Sequence, residues 1–239
     1  FYAAVGLPIG RLADRYSRRG IIGWGILLWS VMTAVCGLAR NFWELFLARV
    51  RVAYCAGSAN VELVRRLGFG GQVRVTGGVG LHRRVPQPPY VPRQRVSSFL
   101  FVGRLSPEKG LDLVVRAFAQ LPELTLHLVG YGPQEAALRA AAGANVVFDG
   151  PVANADLPAH YQRHDVLVLP SLAEPWGLVV EEALNNGTPV LVSDRVGCAA
   201  DVVVDGVNGV VFRAGDAADF VRAVRRLEAP EFYNGLRAQ

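Results

Sequence analysis

From residue 97 onward the chain keeps one rhythm: a short apolar run, then a longer segment with apolar residues at helical spacing. SSFLFV (97–102), LTLHLVG (124–130), NVVF (145–148), DVLVLP (165–170), PVLVS (189–193) and NGVVF (208–212) read as strands. Between them GLDLVVRAFAQL (110–121), PQEAALRAAA (133–142), ADLPAHYQRH (155–164) and GLVVEEALNNG (177–187) read as helices, and DAADFVRAVRRL (216–227) closes the series. Pro133 suits a first turn, Asn154 a cap, and Gly187 a stop. Strands separated by single helices predict an α/β fold with a doubly wound parallel sheet. Such sheets bind ligands beyond the carboxyl ends of their strands. The chemistry is therefore expected in the loops that follow the strands.

The rest of the chain divides in two. Residues 52–95 hold a short strand VAYC (52–55), a helix SANVELVRRLG (58–68) with Ser58 or Asn60 near its cap, a strand QVRVT (72–76), and a Pro/Arg-rich linker over 81–95. Residues 1–51 differ in character. The run GIIGWGILLWSVMTAVCGLA (20–39) carries no charge and has the length of a membrane-crossing helix, with Arg11, Arg15, Arg18 and Arg19 before it. Composition agrees: 51% of residues are hydrophobic and 19% charged, against about 25% in average soluble chains. Membrane association through residues 20–39 is thus expected. The net charge of +5 is dispersed, which excludes a nucleic-acid arm and suits an anionic ligand. Cys36, Cys55 and Cys198 lack disulfide or zinc spacing, and the histidines form no ligand motif, so no metal is expected.

Two loops carry the candidate chemistry. In FVGRLSPEKG (101–110) a strand ends at Val102, Gly103 lets the backbone turn close to a ligand, and Arg104 and Lys109 project near a helix start. Paired cations at a helix N-terminus suit a diphosphate. Lys109 is the single lysine among 25 basic residues, which marks a position that takes an ammonium in place of a guanidinium. In PSLAEPWGLVVEEALNNGTPV (170–190) Glu174 follows a strand and Glu182 lies on the next helix, about one and a half turns past Gly177. A loop carboxylate and a helix carboxylate can grip different hydroxyls of one ligand. Gly177, Leu178 and Val179 offer unpaired amides at the helix start. Glu181 reads as an exposed neighbour without a role. GYGP (130–133) reads as a packing turn, and FDGPV (148–152) as a strand end where a base could lie.

Taken in order, GRLSPEKG, GYGP, DVLVLPS, EPWGLVVEEA with GTPVLVSD, and VNGVVF resemble glycosyltransferase family 4, whose members have the GT-B architecture of two Rossmann-like domains. The resemblance runs from about Val52 to Gln239 and is strongest from Phe99 to Phe212. It implies that 96–239 is the nucleotide-sugar-binding domain and 52–95 the remnant of an acceptor domain plus linker. It implies transfer from a nucleotide diphosphate sugar, with retention, to a glycan or lipid acceptor. The donor is a substrate, and neither cofactor nor metal is implied. Arg104 and Lys109 would hold the diphosphate and stabilise the leaving group. Glu182 would bind ribose, Glu174 would sit against the donor sugar, and the amides of Gly177 to Val179 would face sugar or phosphate. Gly80 stands where an Asp is usual. With the acceptor domain largely missing, donor binding without efficient transfer is expected. A nucleotide-sugar epimerase of the same architecture is an alternative.

Residues 1–50 resemble major facilitator transporters, through GRLADRYSRR (10–19) and LARNFWELFLARV (38–50). A single crossing that keeps the basic loop in the cytoplasm would put the transferase half outside, away from its cytosolic donors. The expectation that follows is a fusion of two gene fragments with a cytoplasmic transferase domain. A membrane-tethered transferase and a transporter fragment are the alternatives.

Overall fold

The strand runs are continuous in apolar character because both of their faces are covered. In the computed structural model, which describes residues 52–78, 86, 89 and 91–237, they form a six-stranded, wholly parallel sheet. Its strands are β3 (Ser98–Val102), β4 (Thr125–Val129), β5 (Val146–Gly150), β6 (Val166–Leu169), β7 (Val190–Ser193) and β8 (Gly209–Phe212). Every residue of β6 and β7 is buried, as central parallel strands require. Ahead of the sheet, β1 (Val52–Cys55) and β2 (Gln72–Val75) form a two-stranded sheet, with helix α1 (Ser58–Arg66) between them in sequence. Residues Tyr54–Leu67 and Val73–Gln239 make up one compact unit.

The spatial order β5-β4-β3-β6-β7-β8 reverses direction between β3 and β6. This is the doubly wound Rossmann-like order. Helices α2 (Leu111–Phe118) and α3 (Glu135–Ala141) pack together, and α2 also meets α7 (Ala217–Glu228). Helices α4 (Leu157–Arg163) and α5 (Leu178–Asn185) form a separate packed pair. The core around α2 and α7 is an aromatic chain. Phe99 meets Phe118 edge-on at 5.4 Å, Phe118 lies 6.4 Å from Phe220, and Phe220 lies 5.2 Å from Phe212.

A buried carboxylate sets the register at the reversal. Asp165 precedes β6, and its Oδ2 accepts the backbone N–H groups of Ser97 and Ser98 at 2.9 and 3.0 Å. Its backbone carbonyl accepts the Tyr233 hydroxyl at 2.7 Å. That tyrosine lies on α8 (Pro230–Arg237), a helix the sequence reading leaves unassigned, as it does the short α6 (Ala199–Val202). Asn145 closes α2 by donating through Nδ2 to the carbonyls of Phe118, Leu121 and Leu124.

Several boundaries shift. α3 starts at Glu135 and not at Pro133, because Pro133 and Gln134 form a turn whose Gln134 amide bonds Leu105 O at 3.0 Å. α4 starts at Leu157, with Asp156 and not Asn154 at the cap position. α1 is capped at Gly57, next to Ser58, and Asn60 takes part in the cap as expected: its Oδ1 accepts the Gly57 amide at 3.3 Å. The expected membrane span at 20–39 and the transporter-like segment 1–50 lie outside the described residues. Among the described residues no helix is long and apolar enough to cross a membrane.

Among the described residues, His127, His160 and His164 lie together. The His164 ring lies 4.5 Å from that of His127 and 6.2 Å from that of His160, and His164 Nδ1 is 2.7 Å from the carbonyl of His160. Burial holds the pKa of His164 below the ordinary 6.5, against the raising effect of that hydrogen bond, and also lowers His160. An unfolded His164 binds a proton near 6.5 while the folded one does so only at lower pH, so stability is full above that value and declines as pH falls below it. Melting temperature should drop between about pH 7.5 and about pH 5.5, and His164→Gln should flatten that dependence. Asp165→Ala strands the half-buried amides of Ser97 and Ser98, and should lower unfolding free energy in urea by about 1–3 kcal/mol. An unchanged midpoint would refute the role given to this carboxylate.

Candidate functional site

Where β3 and β6 lie side by side, their following loops leave toward different helices, and a crevice opens at their carboxyl ends. The β3 loop runs through Gly103 and Arg104 to a 3-10 turn, Pro107–Lys109, and Gly110. Gly110 has φ 65°, and a Cβ there would sit 2.6 Å from Pro170 O at the end of β6. Only a glycine lets the β3 loop cross β6 this closely. The two loops are also joined by backbone: the carbonyl of Glu108 accepts the Leu172 amide at 2.8 Å.

This crossing brings Lys109 to Glu174. The Nζ of Lys109 donates to Glu174 Oε2, and the two side chains are 18% and 13% exposed. Glu174 is held by its own backbone: its amide bonds Arg195 O at 3.3 Å and its carbonyl accepts the Gly197 amide at 2.9 Å. Glu108, next to Lys109, has its carboxyl held below the usual range, first by a 2.6 Å hydrogen bond from the Ser106 hydroxyl and also by the charges of Lys109 and Arg104. Both cations therefore act in the same locality.

Arg104 is exposed, and its side chain is hydrogen-bonded or ion-paired to no described residue. It lines a cavity of about 240 Å³ together with Gly103, Gly130, Tyr131, Pro151 and Val152. The GYGP turn is a packing device, as its sequence suggests. A Cβ on Gly130 would lie 1.9 Å from Gly103 O, and one on Gly132 would lie 2.3 Å from Leu105 O. The same turn nevertheless also lines the cavity, which its packing role does not reveal.

Glu182 points into a neighbouring cavity of about 160 Å³ that shares Asn154 and Leu157 with the first. Its Oε2 accepts the hydroxyl of Tyr161 at 2.6 Å. At the start of α5, Gly177 takes the left-handed conformation (φ 97°), and the amides of Leu178 and Val179 precede any intrahelical acceptor. The candidate residues thus converge on one end of the sheet, but not as a four-membered cluster. Lys109 pairs with Glu174, while Arg104 and Glu182 line adjoining cavities.

Glu181 departs from expectation. It is half-buried, accepts Trp176 Nε1 at 3.0 Å, and stands so close to Gly78 that a Cβ there would lie 2.4 Å from its Oε1. Sequence reasoning also missed Tyr161, Ser106 and Tyr131. A larger cavity, about 860 Å³, lies between α2 and α7 and is lined by helix side chains such as Asp112, Arg116 and Arg222, with no strand end reaching it. Among the described residues no group of His, Cys, Asp or Glu is arranged to hold a metal.

Residues 90–238 match the profile of the family described as glycosyl transferases group 1. Among curated relatives, the chain is 37% identical over 197 residues to D-inositol 3-phosphate glycosyltransferase 2 of Catenulispora acidiphila, covering 71% of this chain and 46% of that protein. It is 36% identical over 132 residues to the sulfoquinovosyl transferase SQD2 of Arabidopsis thaliana, covering 54% of this chain and 26% of that one. It therefore spans less than half the length of these relatives. Among solved structures, sucrose-phosphate synthase from Thermosynechococcus elongatus superposes with a TM-score of 0.70 at 27% identity, over 81% of this chain and 54% of that one. HepE of Anabaena, in complex with UDP and glucose, superposes with a TM-score of 0.69 at 22% identity, over 82% of this chain and 58% of that one. With a family match over more than half its length, on the parallel sheet that carries the Lys109–Glu174 pair, the chain belongs to the glycosyl transferases group 1 family.

Proposed function

We propose that the domain over 96–239 binds a nucleotide diphosphate sugar and serves the transfer of its sugar, with retention at the anomeric carbon, to a glycan or lipid hydroxyl. The observation that carries this reading is the Lys109–Glu174 pair at the β3/β6 crevice, with Arg104 lining the adjoining cavity.

In such a transfer the bond between the anomeric carbon and the diphosphate oxygen breaks, and negative charge grows on the departing diphosphate. Fixed cations lower that barrier most when they need not move as the charge develops. Glu174 holds the Lys109 ammonium in place, and the 3-10 turn fixes its backbone. Arg104, unpaired with any described residue, has its guanidinium available for a second set of phosphate oxygens. The amides of Leu178 and Val179 add dipoles of the same sign at the start of α5. Glu174 Oε1 is left to face a sugar hydroxyl, and Glu182 binds the ribose. The base lies over Gly130, Tyr131, Pro151 and Val152. Retention places the new glycosidic bond on the face from which the diphosphate leaves, and an oxygen of the departing diphosphate takes the proton that the acceptor hydroxyl gives up. Since nucleotide sugars are cytosolic donors, the domain acts in the cytoplasm.

Calorimetric titration of the full chain with UDP-glucose, GDP-mannose and ADP-glucose should find saturable binding of one of them. Lys109→Ala should weaken it about 10- to 100-fold, the range for loss of a charge-assisted hydrogen bond. Arg222→Ala, in the remote cavity between α2 and α7, should leave it unchanged. No binding of any donor by the wild type, or equal binding by Lys109→Ala, would sink the proposal.

A further inference from the structure

Tyr161 is 1% exposed, yet its hydroxyl is spent on one atom, Oε2 of Glu182. A buried phenol needs a partner, but nothing obliges that partner to be a carboxylate at the wall of a cavity. The surroundings of the pair are unusually fixed. The carbonyl of Tyr161 accepts the Thr188 hydroxyl at 2.7 Å. Asn186, itself buried, donates through Nδ2 to the Glu182 carbonyl at 2.9 Å and accepts Gln162 Nε2 at 3.0 Å. Helix α4 is thus tied to Asn186 and Thr188, just beyond the C-terminal end of α5. The phenol remains a donor at every accessible pH, since burial and the adjacent carboxylate both push its pKa upward. One oxygen of Glu182 is therefore permanently engaged. The other, Oε1, accepts no hydrogen bond from a described residue, and Glu182 lines the cavity of about 160 Å³ with Asn154 and Pro158.

Building on the donor-site reading above, we infer that Tyr161 is a positioning residue: it orients the Glu182 carboxylate so that its second oxygen receives a ribose hydroxyl, and so makes the site prefer ribonucleotides to deoxyribonucleotides. An unanchored glutamate would sample several rotamers and meet the hydroxyl only part of the time. The anchored one is organised before the ligand arrives.

The test uses the full chain and UDP, GDP and ADP. The tightest binder is then compared with its 2′-deoxy and 3′-deoxy forms and with inorganic pyrophosphate. The wild type should prefer the ribonucleotide to at least one deoxy form by about tenfold. Tyr161→Phe should cut that ratio about three- to tenfold and leave pyrophosphate affinity unchanged. Glu182→Ala should abolish the ratio, and adding Tyr161→Phe to it should change nothing further. Should Tyr161→Phe not fold, Glu182→Asp withdraws the carboxylate from the phenol without touching it, and should cut the ratio alike. A ratio unchanged in Tyr161→Phe or Glu182→Asp overturns the inference, as does an equal loss of pyrophosphate affinity. A wild-type chain that binds none of the three nucleotides fails earlier, and overturns the donor-site reading itself.

Discussion

Two neighbouring strands, β3 and β6, run in the same direction and then part, and the gap they leave is the precondition for everything at the site. The chain reaches that gap from one side through Gly103 to Gly110 and from the other through Pro170 to Gly177. No long-range force is needed to bring Lys109 to Glu174, because the sheet order has already done so. What remains is local. Gly110 permits the crossing over Pro170, the Glu108 carbonyl ties the loops together, and Asp165 fixes the opposite end of the same strand pair through the amides of Ser97 and Ser98. The clamp and the crevice sit at the two ends of the same strands, so slippage at one would misalign the other.

The ion pair is a poor source of stability and a good source of order. Both partners are largely withdrawn from water, and the desolvation of each offsets much of their mutual attraction. What the pair gains is a lysine that cannot swing into solvent. An ammonium on a flexible stem is otherwise a diffuse charge. Arg104, exposed and paired with no described residue, is the complement: a charge left available beside a charge that is fixed.

Most of the sheet was legible because buried parallel strands write themselves as unbroken apolar runs, and VLVL and VLVS allow little else. The two cation and carboxylate loops were legible because strand ends are where such folds place chemistry. The misreadings have physical causes. Pro133 suggested a helix start, but the turn it belongs to gives its next amide to Leu105 O. α8 escaped because Asn234 and Gly235 are poor helix formers in its middle, although Tyr233 and Leu236 are buried. Tyr161 escaped because an aromatic residue on a helix reads as core, and it is core; only coordinates show that its hydroxyl meets Glu182. Glu181 looked like surface because Trp176, its partner, lies before the helix begins.

The close stacking of Gly130 on Gly103 leaves part of the wall of the cavity beside Arg104 made of bare main chain. Peptide groups there offer the same dipoles whatever else mutates, so that surface is a constant of the scaffold. Variation is left to the rim, where Tyr131 and Val152 project. Side chains at those two positions can change while the glycine-on-glycine contact beneath them stays as it is.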